Sequence, residues 1–240
     1  MPGPLRIALV AEGKTEHEVI EAALDTILAP RRFVLTLLQP EATRPDLGTG
    51  WGGVLKWCQQ LMARHDPTLD PAVESDPLLC SFYDGVVLHL DADVATFAYT
   101  DLSLSHTVAS VAAKGWLPLP CVHACPPAPL PGDALHAVLL SWLHPAVPGP
   151  KTVVCMPAMN TGAWQAAAVL PAGHRLLTDL ECNLGIETQL KGLAMALRVD
   201  KTKPNSRLKA AAAVKARWAD VTSLCTRADA FDAAIRTAFP

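Results

Sequence analysis

Four carboxylates stand in two short motifs and are the strongest candidates for metal binding or catalysis. Glu12 and Glu16 stand in a Glu-Gly-Lys-Thr-Glu motif that follows a short apolar run, and Asp91 and Asp93 follow another apolar run as Asp-Ala-Asp. Carboxylate oxygens are the ligands that Mg²⁺ and Mn²⁺ prefer, and a bound cation relieves the repulsion between clustered acids. The motifs therefore predict a divalent-metal site built from these four residues.

Each acid also has an ordinary structural interpretation. Glu12 suits an exposed strand end, and Glu16 suits the first turn of a helix. Asp91 and Asp93 suit the cap of the element that follows them. Taken singly, these interpretations compete evenly with metal binding. The occurrence of acids after two separate buried runs favours the metal site.

Apolar runs and helical periodicity predict strands that alternate with helices over most of the chain. Strands are expected at 5–11, 33–38, 85–90, 116–123 and 151–156. Helices are expected at 15–28, 54–64, 104–114, 133–143 and 162–169. Such alternation is typical of an α/β fold with a mostly parallel sheet flanked by helices. Ligands of such sheets lie beyond the carboxyl ends of the strands, where both acid pairs fall.

Two local details accompany these elements. Thr15 and Glu18 have the spacing of a capping box, with Thr15 as the N-cap of the first helix. The proline-rich segment 125–132 is expected to lack regular structure.

The strand signals stop near residue 172. Residues 186–239 predict three or four helices, broken near Pro204. We therefore expect an α/β metal-binding domain over residues 1–172 and a C-terminal helical appendage over residues 173–240.

The charges are distributed unevenly. Residues 1–101 contain fifteen acids and seven bases, whereas residues 191–217 contain eight bases and one acid. A basic stretch behind an acidic half is typical of an enzyme that binds a polyanion with one part and cations with another. The candidate nucleic-acid contacts in this stretch are Lys201, Lys203, Arg207 and Lys209. A solvated helix face is the alternative interpretation of the same charges.

Other kinds of site have weaker support. The Gly-Lys-Thr that opens the first helix resembles part of a phosphate-binding loop, but Ala8 stands where that loop needs a glycine. Cys121, His123 and Cys125 suggest zinc, but a second pair of ligands at a suitable spacing is missing. The histidines show no pairing with a candidate nucleophile.

Composition and hydropathy indicate the compartment in which the protein is expected to act. The seven cysteines are an odd number without a framework spacing and are expected to be mostly reduced and buried. The sequence shows no signal peptide and no run of ~18 apolar residues that would span a membrane. We therefore expect a cytoplasmic protein that does not act in a membrane.

The two acid motifs resemble those of the Toprim domain, the catalytic module of topoisomerases, primases and the overcoming-lysogenization-defect (OLD) nucleases. The resemblance covers roughly residues 5–170. Its Glu-Gly-x-x-Glu form is closest to the OLD-like branch and to small stand-alone bacterial Toprim-like proteins. The resemblance implies a Toprim/Rossmann-like sheet and two bound Mg²⁺ or Mn²⁺ ions. Glu12, Glu16 and Asp91 would be their ligands, joined by Asp93.

The same resemblance implies a function. It suggests a nuclease that cleaves nucleic-acid phosphodiesters, of DNA in preference to RNA, in an anti-phage defence system, with Glu12, Asp91 and Asp93 as catalytic residues. It also implies an ABC-type ATPase partner, and it leaves room for a homo-oligomer. The main alternative is a catalytically impaired subunit that docks on such an ATPase or senses a ligand. A primase-type enzyme is a third hypothesis, but the sequence shows no primase accessory module.

One position departs from the resemblance. The small stand-alone proteins usually have Glu before Ala-Trp, whereas this chain has Gly162 there. If a ligand is missing, metal binding should be weakened and Gly162→Glu should restore it. The competing hypothesis is that Gly162 serves the backbone conformation. The absent acid favours the impaired-subunit alternative.

Overall fold

Apolar runs form the strands at the centre of the molecule. In a computed structural model that describes residues 3–41, 45–66, 70–103 and 105–240, four strands form one sheet. They are β1 (Leu5–Val10), β2 (Phe33–Gln39), β3 (Gly85–His89) and β4 (Thr152–Cys155). Every residue of β3 is buried, and so is every residue of β1 except Arg6. Strands that are apolar on both faces belong in the middle of a parallel sheet.

The order of the strands is β2-β1-β3-β4, and every neighbouring pair is parallel. Ile7 of β1 lies opposite Leu35 of β2 and Gly85 of β3. His89, the last residue of β3, lies opposite Cys155. The prediction of an α/β fold with a parallel sheet flanked by helices is confirmed. Because all strands run in one direction, the residues that follow β1 and β3 share one edge of the sheet.

Helices cover both faces of the sheet. Those before the last strand are α1 (Lys14–Ile27), α2 (Gly50–Arg64), α3 (Pro77–Phe82), α4 (Val108–Ala113) and α5 (Pro129–Leu143). Those after it are α6 (Gly162–Val169), α7 (Ile186–Lys191), α8 (Pro204–Ala216), α9 (Trp218–Leu224) and α10 (Thr226–Ala238). One hydrophobic cluster contains α1, α6 and the last three helices, and the other contains α2 and α5. Within the described part of the chain, no helix combines the length and apolar character that a membrane span requires.

The C-terminal helices are held to α1 by charge as well as by apolar packing. Arg207 Nε of α8 donates to both carboxylate oxygens of Glu18, over 3.1 and 3.0 Å. Lys215 Nζ lies 2.9 Å from Asp25 Oδ2. The expected helices after residue 186 are confirmed, and α8 begins at the expected proline. The division into domains at residue 172 stays a prediction.

Prolines account for two wrong local predictions. Residues 116–123 form no strand. Pro118 and Pro120 lack the N–H groups that a strand ladder needs. Conversely, α5 begins at Pro129, inside a segment that was expected to be irregular. Proline is tolerated in the first turn of a helix, because the N–H groups there have no partner within the helix.

Helix starts also differ from the predictions. Gly13 is the N-cap of α1, so no capping box forms around Thr15. α2 begins at Gly50 rather than at residue 54. α4 begins at Val108, and its expected start at residue 104 lies outside the described residues.

A disulfide bond joins Cys125 to Cys182, whose Cα atoms are 5.5 Å apart. The expectation of reduced, buried cysteines holds for Cys58, Cys155 and Cys225, whereas the free Cys80 is exposed and the free Cys121 is half-buried. The bonded pair is 57 residues apart in sequence. No local spacing marks such a pair, so the sequence analysis missed it.

Candidate metal centre

The acids that follow β1 and β3 meet at the carboxyl edge of the sheet. Glu12 lies two residues beyond β1, and Asp91 lies two residues beyond β3. The backbone N–H of Asp91 donates to Glu12 Oε1 over 2.8 Å. Because β1 and β3 are adjacent and parallel, residues 79 positions apart in sequence are brought into contact.

Asp91 is buried within this edge. Its Oδ1 accepts the backbone N–H of Thr161 over 3.2 Å and lies 3.2 Å from His89 Nε2. Asp91 directly precedes the 3-10 helix Ala92–Thr96, but its side chain makes no cap hydrogen bond there. Asp91 is therefore the N-cap residue of this helix by position, as one interpretation expected, but its carboxylate does not cap the helix.

Glu16 enters the same edge from the first turn of α1, where it is buried. Lys201 Nζ lies 3.2 Å from both Glu16 Oε1 and Thr161 Oγ1, and it forms a salt bridge with Glu187. Burial by itself lowers the pKa of Lys201. The carboxylates of Glu16, Asp91 and Glu187 outweigh that effect and hold this pKa above its usual range. Lys201 is therefore a charged lysine within the acid cluster.

Crowding of the acids changes how they titrate. Burial first, and then the charge of Asp91, raises the pKa of Asp93 to about 7, although a hydrogen bond with Asn160 opposes the rise. Burial and the charge of Asp91 also raise the pKa of Glu12 well above its ordinary value. A divalent cation favours the ionised form of each acid, so the cluster fits a metal site electrostatically.

An imidazole also belongs to the cluster. Glu12, His89 and Asp91 each offer a ligand atom within 4.8 Å of the other two. His89 is fully buried, and the prediction of a carboxylate site did not include it. The signal was present, because alternate residues of an extended segment face the same way and His89 stands two positions before Asp91.

Position 162 is closed by packing. A Cβ on Gly162, the first residue of α6, would lie 2.6 Å from Asn160 Oδ1 and 2.7 Å from Glu187 Cγ. Asn160 is the residue whose side chain hydrogen bonds with Asp93. Glu187 of α7 therefore lies beside position 162, where the Toprim resemblance leads us to expect an acid. The backbone of Gly162 lies outside the left-handed region that favours glycine, so the hypothesis of a backbone requirement is not supported, and neighbouring side chains are what restrict this position.

The four candidate nucleic-acid contacts occupy three different surroundings. Lys201 lies among the acids, and Arg207 is paired with Glu18. Lys203 and Lys209 are exposed. These two line a cleft of about 610 Å³ beside the start of α8, together with Arg198, Asp200 and Met195. Nucleic-acid binding by these residues stays a prediction.

No protein-family model, curated protein or solved structure matches this chain. The resemblance to the Toprim domain therefore rests on the two acid motifs, and that assignment stays a prediction.

Proposed function

We propose that this protein is a Toprim-like, divalent-metal-dependent nuclease that cleaves phosphodiester bonds. The observation that carries the proposal is the contact between Glu12 and Asp91 at one edge of the sheet, with the charges of Glu16 and Asp93 acting on the same group. When bound, Mg²⁺ or Mn²⁺ would polarise the phosphate and lower the pKa of a coordinated water.

The side chains of the site have separate tasks in this proposal. Glu12, Glu16 and Asp91 hold the metal. Asp93 is partly exposed beside these ligands, and a bound cation would favour its ionised form, so it suits the acceptance of a proton from water. Lys201 keeps its positive charge through its pairs with Glu16 and Glu187. A fixed charge there would stabilise the negative charge that develops on phosphate oxygens.

The cleft beside α8 supplies a candidate path for the substrate. Arg198, Lys203 and Lys209 are exposed along it. Lys203 is two residues from Lys201, so this cleft adjoins the acid cluster along the chain. Basic side chains bind phosphates without reading sequence, so the proposed nuclease has little sequence preference.

The wider biological setting rests on the Toprim resemblance alone. The anti-phage role, the preference for DNA and the ABC-type ATPase partner are proposals of this kind. The alternative of an impaired docking subunit drew its support from Gly162. That support is weaker because Glu187 lies beside position 162.

The proposal predicts metal-dependent cleavage by the purified protein. Single-stranded DNA, double-stranded DNA and RNA would each be incubated with Mn²⁺ or Mg²⁺, with Asp91→Asn as the inactive variant. Loss of a residue in the outer shell of a metal site typically costs about 10- to 100-fold in activity, so loss of Asp91 itself should cost at least about 100-fold.

Asp229→Asn is the matched control, because Asp229 is exposed on α10. It should cleave at the rate of the unmodified protein. Equal cleavage by Asp91→Asn and the control would assign the activity to a contaminant and overturn the proposal. Absence of cleavage on all three substrates with either metal would do so too.

A further inference from the structure

His89 places an imidazole in the interior of the protein. It ends β3, and its relative exposure is 0%. Among the residues that the structure describes, neither Nδ1 nor Nε2 has a hydrogen-bond partner. A buried polar group without a partner is costly, and protein cores rarely keep one without a reason.

The surroundings of this imidazole are those of a ligand. Its Nε2 lies 3.2 Å from Asp91 Oδ1, a contact that does not have the geometry of a hydrogen bond. With no proton on Nε2, the two atoms face each other with lone pairs and repel unless they share a cation. Glu12 completes a set of three atoms that lie mutually within 4.8 Å, so one ion can be shared by all three side chains.

Two other roles fit His89 less well. A general base must reach a substrate or a water, and His89 is fully enclosed. An ion pair with Asp91 would normally be closed by a hydrogen bond, and the contact between Nε2 and Asp91 Oδ1 does not have that geometry. Coordination of a metal needs only that the nitrogen lies close to the carboxylates that would share the ion, as it does here.

We propose that His89 is a nitrogen ligand of this site, beside Glu12 and Asp91, and that the site selects a first-row transition metal over Mg²⁺. Mg²⁺ prefers oxygen ligands and keeps its waters, whereas an imidazole nitrogen raises the affinity for first-row transition ions, for Co²⁺ and Zn²⁺ more than for Mn²⁺. This inference rests on the metal site of the proposed nuclease but does not require the nuclease activity.

The direct test uses the unmodified protein without an affinity tag, loaded with one equivalent of Mn²⁺. Pulsed electron paramagnetic resonance should show the modulation caused by a directly bound ¹⁴N nucleus. His136→Gln is the matched control, because His136 lies on α5 and outside the acid cluster. Its spectrum should keep the modulation. Absence of ¹⁴N coupling in the unmodified protein, with the ion bound, overturns the proposal without any variant at position 89.

A binding titration tests the selectivity. The unmodified protein should bind Mn²⁺ at least tenfold more tightly than Mg²⁺, and His89→Gln should lose most of that ratio. An equal affinity for both ions in the unmodified protein contradicts the proposal. Nitrogen coupling without any cleavage would leave the proposal standing and remove the nuclease function. Metal-dependent cleavage without nitrogen coupling would support the nuclease function and overturn the assignment of His89 as a ligand.

Discussion

Asp93 shows how a single residue responds to the acid cluster. Its pKa of about 7 reflects burial first and the charge of Asp91 second. Without a metal, the folded state holds a proton that the unfolded state releases near the ordinary aspartate value. The free energy of unfolding of the metal-free protein should therefore fall as pH rises from about 4 to about 7.

The metal affinity should have the opposite pH dependence. A bound cation favours the ionised form of the neighbouring Asp93, so Mn²⁺ affinity should rise by roughly fivefold from pH 6 to pH 7 and level off above about pH 8. Titration calorimetry in buffers of different ionisation enthalpy counts the protons released. Asp93→Asn should release fewer protons and show a flatter profile. An unchanged profile in that variant would assign the titration to another group, such as Glu12.

At the scale of elements, the start of α6 and the first turn of α7 pack without a gap. A Cβ on Gly162 would approach Asn160 Oδ1, Glu187 Cγ and Ile186 Cγ2 at 2.6, 2.7 and 3.1 Å. A new side chain must therefore move α6 away from α7 or displace the two polar side chains. Both of these side chains act on the acid cluster, through Asp93 and Lys201.

The second prediction follows from this packing. Gly162→Ala should lower the free energy of unfolding by about 1 to 3 kcal/mol, as overpacking usually does, and Gly162→Glu should lower it more. Neither variant should gain metal affinity. Chemical denaturation and Mn²⁺ titration measure the two effects.

Gly185→Ala is the control for this pair. A Cβ on Gly185 would meet its nearest atom at 3.4 Å, which is ordinary contact. Gly185→Ala should change the free energy of unfolding by less than about 0.5 kcal/mol. A folded Gly162→Glu protein with higher metal affinity would revive the hypothesis of a missing ligand.

At the scale of the whole molecule, the basic residues of the stretch 191–217 fall into a paired group and an exposed group. Part of the basic stretch is taken up within the fold, because Lys201, Arg207 and Lys215 pair with acids of α1. Arg217 also donates to backbone carbonyls within the fold, whereas Lys203 and Lys209 are exposed and line the cleft beside α8. These two exposed lysines are the candidates for binding a polyanion.

The third prediction separates the two groups. If Lys203 and Lys209 contact phosphates, each substitution by Ala should reduce the salt dependence of nucleic-acid binding by a slope of about 0.7 to 0.9. Fluorescence anisotropy with labelled DNA at several salt concentrations measures that slope. Lys114→Ala is the matched control, since Lys114 is exposed and lies over the ring of Trp116. Slopes that match this control in both variants would make the cleft an ordinary solvated surface.

Local sequence patterns are enough to predict the parallel sheet and the position of Glu12 and Asp91 at its edge. Buried apolar runs predict parallel strands, and the residues after such strands must share one edge, so Glu12 and Asp91 were expected to lie together. This inference needs only local patterns and the geometry of a parallel sheet.

Which other side chains reach that edge depends on the tertiary packing. Lys201 contacts Glu16 across 185 positions of sequence, and Glu187 arrives on a helix from the C-terminal part of the chain. Such contacts depend on how helices pack on the sheet, and a local pattern does not encode that packing. For the same reason, the crowding at Gly162 and the disulfide between Cys125 and Cys182 appear only in the folded molecule.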